Sequence, residues 1–95
     1  MKVSASEQVQ EWLISLAPET KRRVRLALRA LTKGQGDIRS LRAPLAGYLR
    51  LRVGRLRIIY KQVSCKELVL IYANNRDIVY ELFQYHLQKL QGKRD

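Results

Sequence analysis

Acid is scarce in this chain. Eight Asp and Glu stand against nineteen Lys and Arg, for a net charge of +11 and a pI near 10.4. A folded domain with that excess repels itself, and it is attracted to polyanions: nucleic acid, acidic membrane or acidic protein. Cysteine is nearly absent. Cys65 stands alone, so no internal disulfide supports the fold, as suits a reducing compartment. In "VSCKE" it reads as a turn residue. Lys61 and Lys66 beside it are no substitute for a paired base, so it reads as structural, not catalytic. No leader-like segment and no apolar run of membrane-spanning length stand out, so the cytoplasm is the expected location and no membrane partner is expected. No His/Cys/Asp cluster has metal-ligand spacing and no Gly-rich nucleotide loop is present, so neither metal nor cofactor is expected.

Ninety-five residues suffice for one domain, here residues 1–95, near the lower limit for a single unstapled core. Met1 to Val3 read as a short edge strand. "SASEQVQEWLISL" reads as a helix capped by Ser4 or Ser6, with Val9, Trp12, Leu13 and Leu16 in one apolar stripe. Trp12 belongs to that stripe and so to the core. Pro18 suits the first position of a second helix, "PETKRRVRLALRALTKG", ended by Gly34 and Gly36. Its buried stripe is Val24, Ala27, Leu28 and Leu31. Lys21, Arg22, Arg25 and Arg29 lie elsewhere around it, as a solvated face or an RNA-facing surface.

"DIRSLRAPLAG" reads as a loop. From Ile38 to Lys66 there are eight basic residues and no acid. Within that span "GYLRLRVGRLRIIY", residues 47–60, carries four arginines. A two-residue turn at Gly54-Arg55 would pair Val53 with Leu56, Arg52 with Arg57, Leu51 with Ile58, Arg50 with Ile59 and Leu49 with Tyr60. Strand side chains alternate, so one face becomes Leu49, Leu51, Val53, Leu56, Ile58 and Tyr60. The other becomes Tyr48, Arg50, Arg52, Arg57 and Ile59. A one-residue slip would mix the sets. Arg52 opposite Arg57 is unfavourable by up to about 1 kcal/mol. That arrangement serves an anion-binding face rather than a fold.

"ELVLIYA", residues 67–73, alternates Leu68, Leu70 and Tyr72 with Val69 and Ile71, is apolar on both faces and reads as a central strand. "DIVYELFQYHLQKL" reads as a closing helix with Asp77 as N-cap. Its expected buried side is Ile78 or Val79, Leu82, Phe83, His86 and Leu90, which makes His86 a packed residue first and a catalytic one second. "QGKRD" reads as a frayed tail. The expected architecture is α+β. A helical hairpin covers one face of a small antiparallel sheet, a C-terminal helix follows, and the arginine face is left to solvent or ligand.

Together these segments resemble the RelE/ParE toxin superfamily of bacterial toxin–antitoxin modules. The resemblance rests on the "WLxxL" and "PExxxRVxxAL" helices, on the leucine-rich lead-in and basic hairpin "LRAPLAGYLRLRVGRLRIIY", and on "LVLIYANNRDIVY". It spans almost the whole chain. It implies a RelE/ParE-like fold and a toxin bound by an acidic antitoxin, in a toxin–antitoxin hetero-oligomer. The RelE-like branch implies a ribosome-dependent endoribonuclease that cuts mRNA and inhibits translation; the ParE-like branch implies a DNA gyrase inhibitor that cuts nothing. A degenerate relative without toxicity is a third reading.

For the nuclease, RNA is cut by its own 2′-hydroxyl. A group takes the nucleophile's proton, phosphorane charge is stabilised, and the 5′-oxygen is protonated. By motif, Arg57 matches the phosphate-stabilising arginine and Arg50 a hairpin lysine of proton transfer or charge stabilisation. Arg76 matches the arginine after the last strand, and Tyr80 the tyrosine that orients or stacks on a base. Tyr48, Arg52, Arg55, Lys61, Arg22, Arg25 and Arg29 are the accompanying RNA- or phosphate-binding residues. Where RelE-like nucleases carry a second hairpin lysine, this chain has Tyr48.

Overall fold

The computed structural model describes residues 1–92. The order is β1 (Lys2–Ala5), α1 (Glu7–Ser15), α2 (Pro18–Leu31), β2 (Asp37–Ser40), β3 (Leu49–Val53), β4 (Leu56–Ser64), β5 (Glu67–Asn75) and α3 (Val79–Gly92). The strands form a 5-stranded sheet in the order β1-β5-β4-β3-β2, antiparallel except where β1 runs parallel to β5.

Local chemistry explains most boundaries. Of the two possible caps, Ser6 is used. Its Oγ accepts from the Val9 amide and donates 2.7 Å to the Ile71 carbonyl, which fixes the start of α1 against β5. Pro18 opens α2. The helix stops at Leu31, short of Gly34, because Thr32 to Gly34 form a turn that Gly34 closes at φ +73°.

The β3–β4 hairpin has the expected register at every pair from Leu49↔Tyr60 to Val53↔Leu56. Only Gly54 in its turn has positive φ, as a Gly-X turn requires. Its Leu51, Ile58 and Tyr60 are buried with Val9, Val24, Leu31, Leu68, Leu70 and Ala73; Trp12 packs against that cluster. This is the core beneath α1 and α2.

The segment expected as a loop contains a strand. β2 pairs antiparallel with β3, with Ile38 opposite Leu51 and Arg39 opposite Arg50. An edge strand of four residues with one apolar side chain leaves no alternation to read. Gly36 precedes it at φ +131°, where a Cβ would lie 2.9 Å from the Leu51 side chain.

Three further expectations change. A bulge in β4–β5 pairs Ile59 with Tyr72 and Tyr60 with Leu70, leaving Ile71 without a partner. Tyr72 therefore crosses to the face of Ile59 and packs with Ile71 on the second core. Second, α3 packs on this second face, which is thus partly covered rather than wholly open. Val79 and Phe83 are fully buried and Leu87 packs beside them, whereas Ile78, Leu82 and Leu90 are exposed. A helix entered at Val79 turns 79, 83 and 87 inward. His86 lies outside that stripe and is exposed. Third, Asp77 does not cap α3. The Ile78 carbonyl accepts the Leu82 amide at 3.0 Å, and the Asp77 carboxylate faces Arg76 at 3.6 Å. The helix continues to Gly92; the rest of the supposed frayed tail, residues 93–95, lies outside the described residues.

The β1 edge ends with a side chain acting as backbone. Where β1 stops, the Gln8 amide donates 2.7 Å to the Ala73 carbonyl and accepts 2.9 Å from the Ala73 amide. Both polar groups of a fully buried residue are thereby satisfied. Gln8→Ala is expected to destabilise the domain by about 1–3 kcal/mol, because both groups lose their partner. Urea denaturation measures it; an unchanged midpoint would show that water replaces Gln8 freely.

Candidate functional site: an arginine-bearing sheet face

Register places the charged residues in two rows across the strands, on the face away from the helical hairpin. The first row is Asp37, Arg52, Arg57 and Asn74; the second is Arg39, Arg50, Ile59 and Tyr72. Side chains directly opposite on neighbouring strands share a face, so this pattern follows from the backbone alone.

The interior arginines are not free. Arg50 is 9% exposed and its Nη1 donates to the Asp37 carbonyl at 3.0 Å and carboxylate at 3.2 Å. The other carboxylate oxygen of Asp37 stands 3.8 Å from Arg52. Arg57, also 9% exposed, donates from Nη1 to the Gly54 carbonyl at 2.8 Å and the Leu56 carbonyl at 2.9 Å. The fold therefore does use these arginines, contrary to the expectation from sequence. Arg50 fastens the edge strand, and Arg57 holds the hairpin turn. Each guanidinium has five donors, so Nε and Nη2 remain. Among the described residues no fully buried side-chain nitrogen or oxygen lacks a partner, which leaves those groups in contact with solvent.

At one end of the face stands an aromatic wall. Phe83 meets Tyr48 edge-on at 5.0 Å and Tyr72 at 5.7 Å; His86 lies 5.7 Å from Tyr72. Lys61 places its ammonium 4.3 Å from the Tyr48 ring centroid, a cation–π contact. Tyr80, in the first turn of α3, packs against the same cluster. At the other end the Arg76 amide donates 2.8 Å to the Arg55 carbonyl, joining the end of β5 to the hairpin tip. Tyr60, which ends the strand motif, is in the opposite core, and burial raises its phenol above the usual tyrosine range.

The fold thus assembles Tyr48, Arg50, Arg52, Arg57 and Lys61 on one face, with Tyr80 at its aromatic end and Arg55 and Arg76 at its hairpin tip. Arg22, Arg25 and Arg29 are not part of it. They are exposed on α2, which covers the opposite face, and Arg25 and Arg29 border a shallow groove with Val3 and Leu28. Three residues were missed: Asp37 and Arg39, because their strand was read as loop, and Arg23, which reaches the hairpin tip. The one available signal was Asp37 itself, the last acid before the acid-free stretch. Among the described residues, no group of three or more His, Cys, Asp or Glu side chains could hold a metal, and no helix is long and apolar enough to cross a membrane.

No protein-family model matches the sequence, and no curated protein matches it either. Solved structures do. The chain is similar to one in a RelB–RelE antitoxin–toxin complex from Methanococcus jannaschii, with 18% identity, a TM-score of 0.64, and 84% of this chain and 98% of that chain covered. A chain of the archaeal RelE–RelB complex from Pyrococcus horikoshii OT3 gives 25% identity, a TM-score of 0.61, and coverages of 79% and 93%. One from the YoeB–YefM complex of Staphylococcus aureus gives 16% identity, a TM-score of 0.64, and coverages of 80% and 97%. The chain has the α+β fold of RelE- and YoeB-type toxins, and the resemblance read from the sequence holds at the level of that fold.

Among the described residues, Asp37 is the one carboxylate bonded to the arginine rows. Asp37→Ala should therefore raise affinity for polyanions and loosen the β2 edge by about 0.5–1 kcal/mol. Heparin chromatography and thermal unfolding measure the two effects. Elution at unchanged salt would mean that Asp37 does not control the potential of this face.

Proposed function

We propose that the chain is the toxin of a type II toxin–antitoxin module and acts as a ribosome-dependent mRNA endoribonuclease. The carrying observation is the pair of rows in which Arg39, Arg50, Arg52 and Arg57 share one face, with Asp37 the only carboxylate within ion-pair distance of them among the described residues. The fold likeness to chains of RelB–RelE and YoeB–YefM complexes supports the toxin reading.

The chemistry divides by residue type. Arg50, Arg57 and Arg76 stabilise the negative charge of the phosphorane with their remaining N–H groups, since a planar fork matches phosphate oxygens. Arg52, Arg55 and Lys61 hold neighbouring phosphates, and Tyr48 and Tyr80 offer aromatic surface to a base. Arginine stays protonated, so it does not take the 2′-hydroxyl proton. Histidine is the side-chain type able both to accept and to release a proton near neutrality. His86, exposed beside Tyr72 at the edge of the rows, fills that role in this reading. An acidic antitoxin covers the same face, gaining speed and specificity from the +11 charge. The cytoplasm is where these partners are found.

A second reading is a ParE-like inhibitor of DNA gyrase. It is favoured by the commitment of Arg50 and Arg57 to Asp37 and to turn carbonyls, and by the absence of a lysine at either hairpin position. A reconstituted translation reaction, with mRNA ends mapped with and without ribosomes, separates the two. Cuts should need ribosomes, and Arg76→Ala, an exposed position, should slow them about 100-fold. Intact mRNA with folded protein, joined to loss of supercoiling by purified gyrase, would replace the nuclease reading with the gyrase one.

A further inference from the structure

Beyond the rows, at the tip of the β3–β4 hairpin, lies a cleft of about 660 Å³. Four arginines line it: Arg23 from α2, Arg52 from β3, Arg55 from the turn and Arg76 from the end of β5. Thr20 and Asn75 add polar groups, and among the described residues no carboxylate lines it. Arg23 lies directly against the turn: a Cβ on Gly54 would be 3.0 Å from its Nη2. Arg52 and Arg76 each have one carboxylate nearby, Asp37 at 3.8 Å and Asp77 at 3.6 Å, but among the described residues neither Arg23 nor Arg55 has one within ion-pair distance.

Several features point to an anion. Like charges brought into one concavity by four separate elements repel one another unless an anion neutralises them. The first turn of α2 borders the cleft through Thr20, and its N-cap, Ala17, provides no side-chain hydrogen bond. The amides of that turn thus add to the positive potential. The volume is that of a small-ligand site and admits a nucleotide unit, not only a bare ion.

We propose that this cleft holds a phosphodiester unit of a single RNA strand, adjoining the stretch that lies on the arginine rows. The proposal rests on the RNA reading of that face. Arg52 belongs to both the first row and the cleft, so one strand can run from one to the other without a break in contact. A concave site with forked guanidinium donors suits a tetrahedral phosphate better than the spaced carboxylates of an acidic protein segment. Arg23 is then a phosphate-binding residue supplied by a helix that otherwise serves the opposite core.

The test is fluorescence anisotropy on the full chain. The probe is a labelled, uncleavable 2′-O-methyl oligonucleotide of about eight nucleotides, titrated across salt concentrations. Arg23 is exposed, so its variants should keep the fold, and circular dichroism checks that. Arg23→Ala should weaken binding about tenfold, as loss of a charge-assisted hydrogen bond does. It should also lower the salt slope by about 0.7, the value for one phosphate contact on a single strand. Arg23→Lys should keep the slope and lose part of the affinity. An Arg23→Ala protein that binds RNA like the wild type, with Arg39→Ala weakened, would overturn the cleft and leave the rows standing. Wild-type protein that binds no RNA would overturn the cleft, and if it also cuts no mRNA on ribosomes, the RNA reading of the face falls with it. If Arg23→Ala weakens poly-glutamate binding but not RNA binding, the cleft takes an acidic protein and the RNA assignment is wrong.

Discussion

Arg52 and Arg57 face each other across β3 and β4, and the ladder holds them there. The hairpin register is set by the apolar residues of the opposite face, so the arginines cannot move apart without exposing Leu51 and Ile58. Their repulsion must be relieved in place. Arg57 turns its Nη1 to two carbonyls of the turn, and Arg52 leans toward Asp37. Relief of charge thereby becomes structure. The hairpin tip is closed by a guanidinium, and β2 is tied to β3 by a carboxylate as well as by backbone bonds.

The two faces of the sheet divide the work. The first is apolar from β5 to β3, and α1 and α2 bury it. The second is split by the bulge in β5, which brings Tyr72 across to join Ile59, Tyr48 and Phe83. That aromatic half anchors α3 through Val79, Phe83 and Leu87. The arginine half offers a helix no apolar side chain to cover; Arg52 is exposed there, while Arg50 and Arg57 are buried by their own bonds to the strand edge and the turn. The change from aromatic packing to charge therefore runs across one sheet face, between Ile59 and Arg57.

Strict alternation made the hairpin legible. Ten residues with one apolar and one charged set admit a single register, and the structure has it. Pro18 and Gly34 were legible because their backbone restrictions are local. β2 was not, since an edge strand with only Ile38 facing the core carries no period. Nor was the rotation of α3. Its apolar residues encircle much of the helix, so the pattern around Ile78, Leu82 and Leu90 is as hydrophobic as the buried stripe of Val79, Phe83 and Leu87. What selects the stripe is the aromatic cluster beneath it, which exists only after the bulge has moved Tyr72. Asp37 and Arg23 depend on tertiary approach, and no spacing in the chain announces it.

The buried arginines bear on the proposed chemistry in one further way. Fastened at Nη1, Arg50 and Arg57 would meet a phosphate with Nε and Nη2 already oriented. A surface arginine would have to lose its rotamer freedom on binding, about 2 kcal/mol for such a side chain. Preorganised donors stabilise developing charge more than a pre-existing charge that can adjust its position to them. Neither arginine takes part in proton transfer, because the side chain has no proton-accepting form in a protein. A face built this way can stabilise a transition state but cannot by itself begin the reaction. Any cleavage here needs a proton acceptor from outside the rows, whether His86 at their aromatic edge or a group supplied by the ribosome with the RNA.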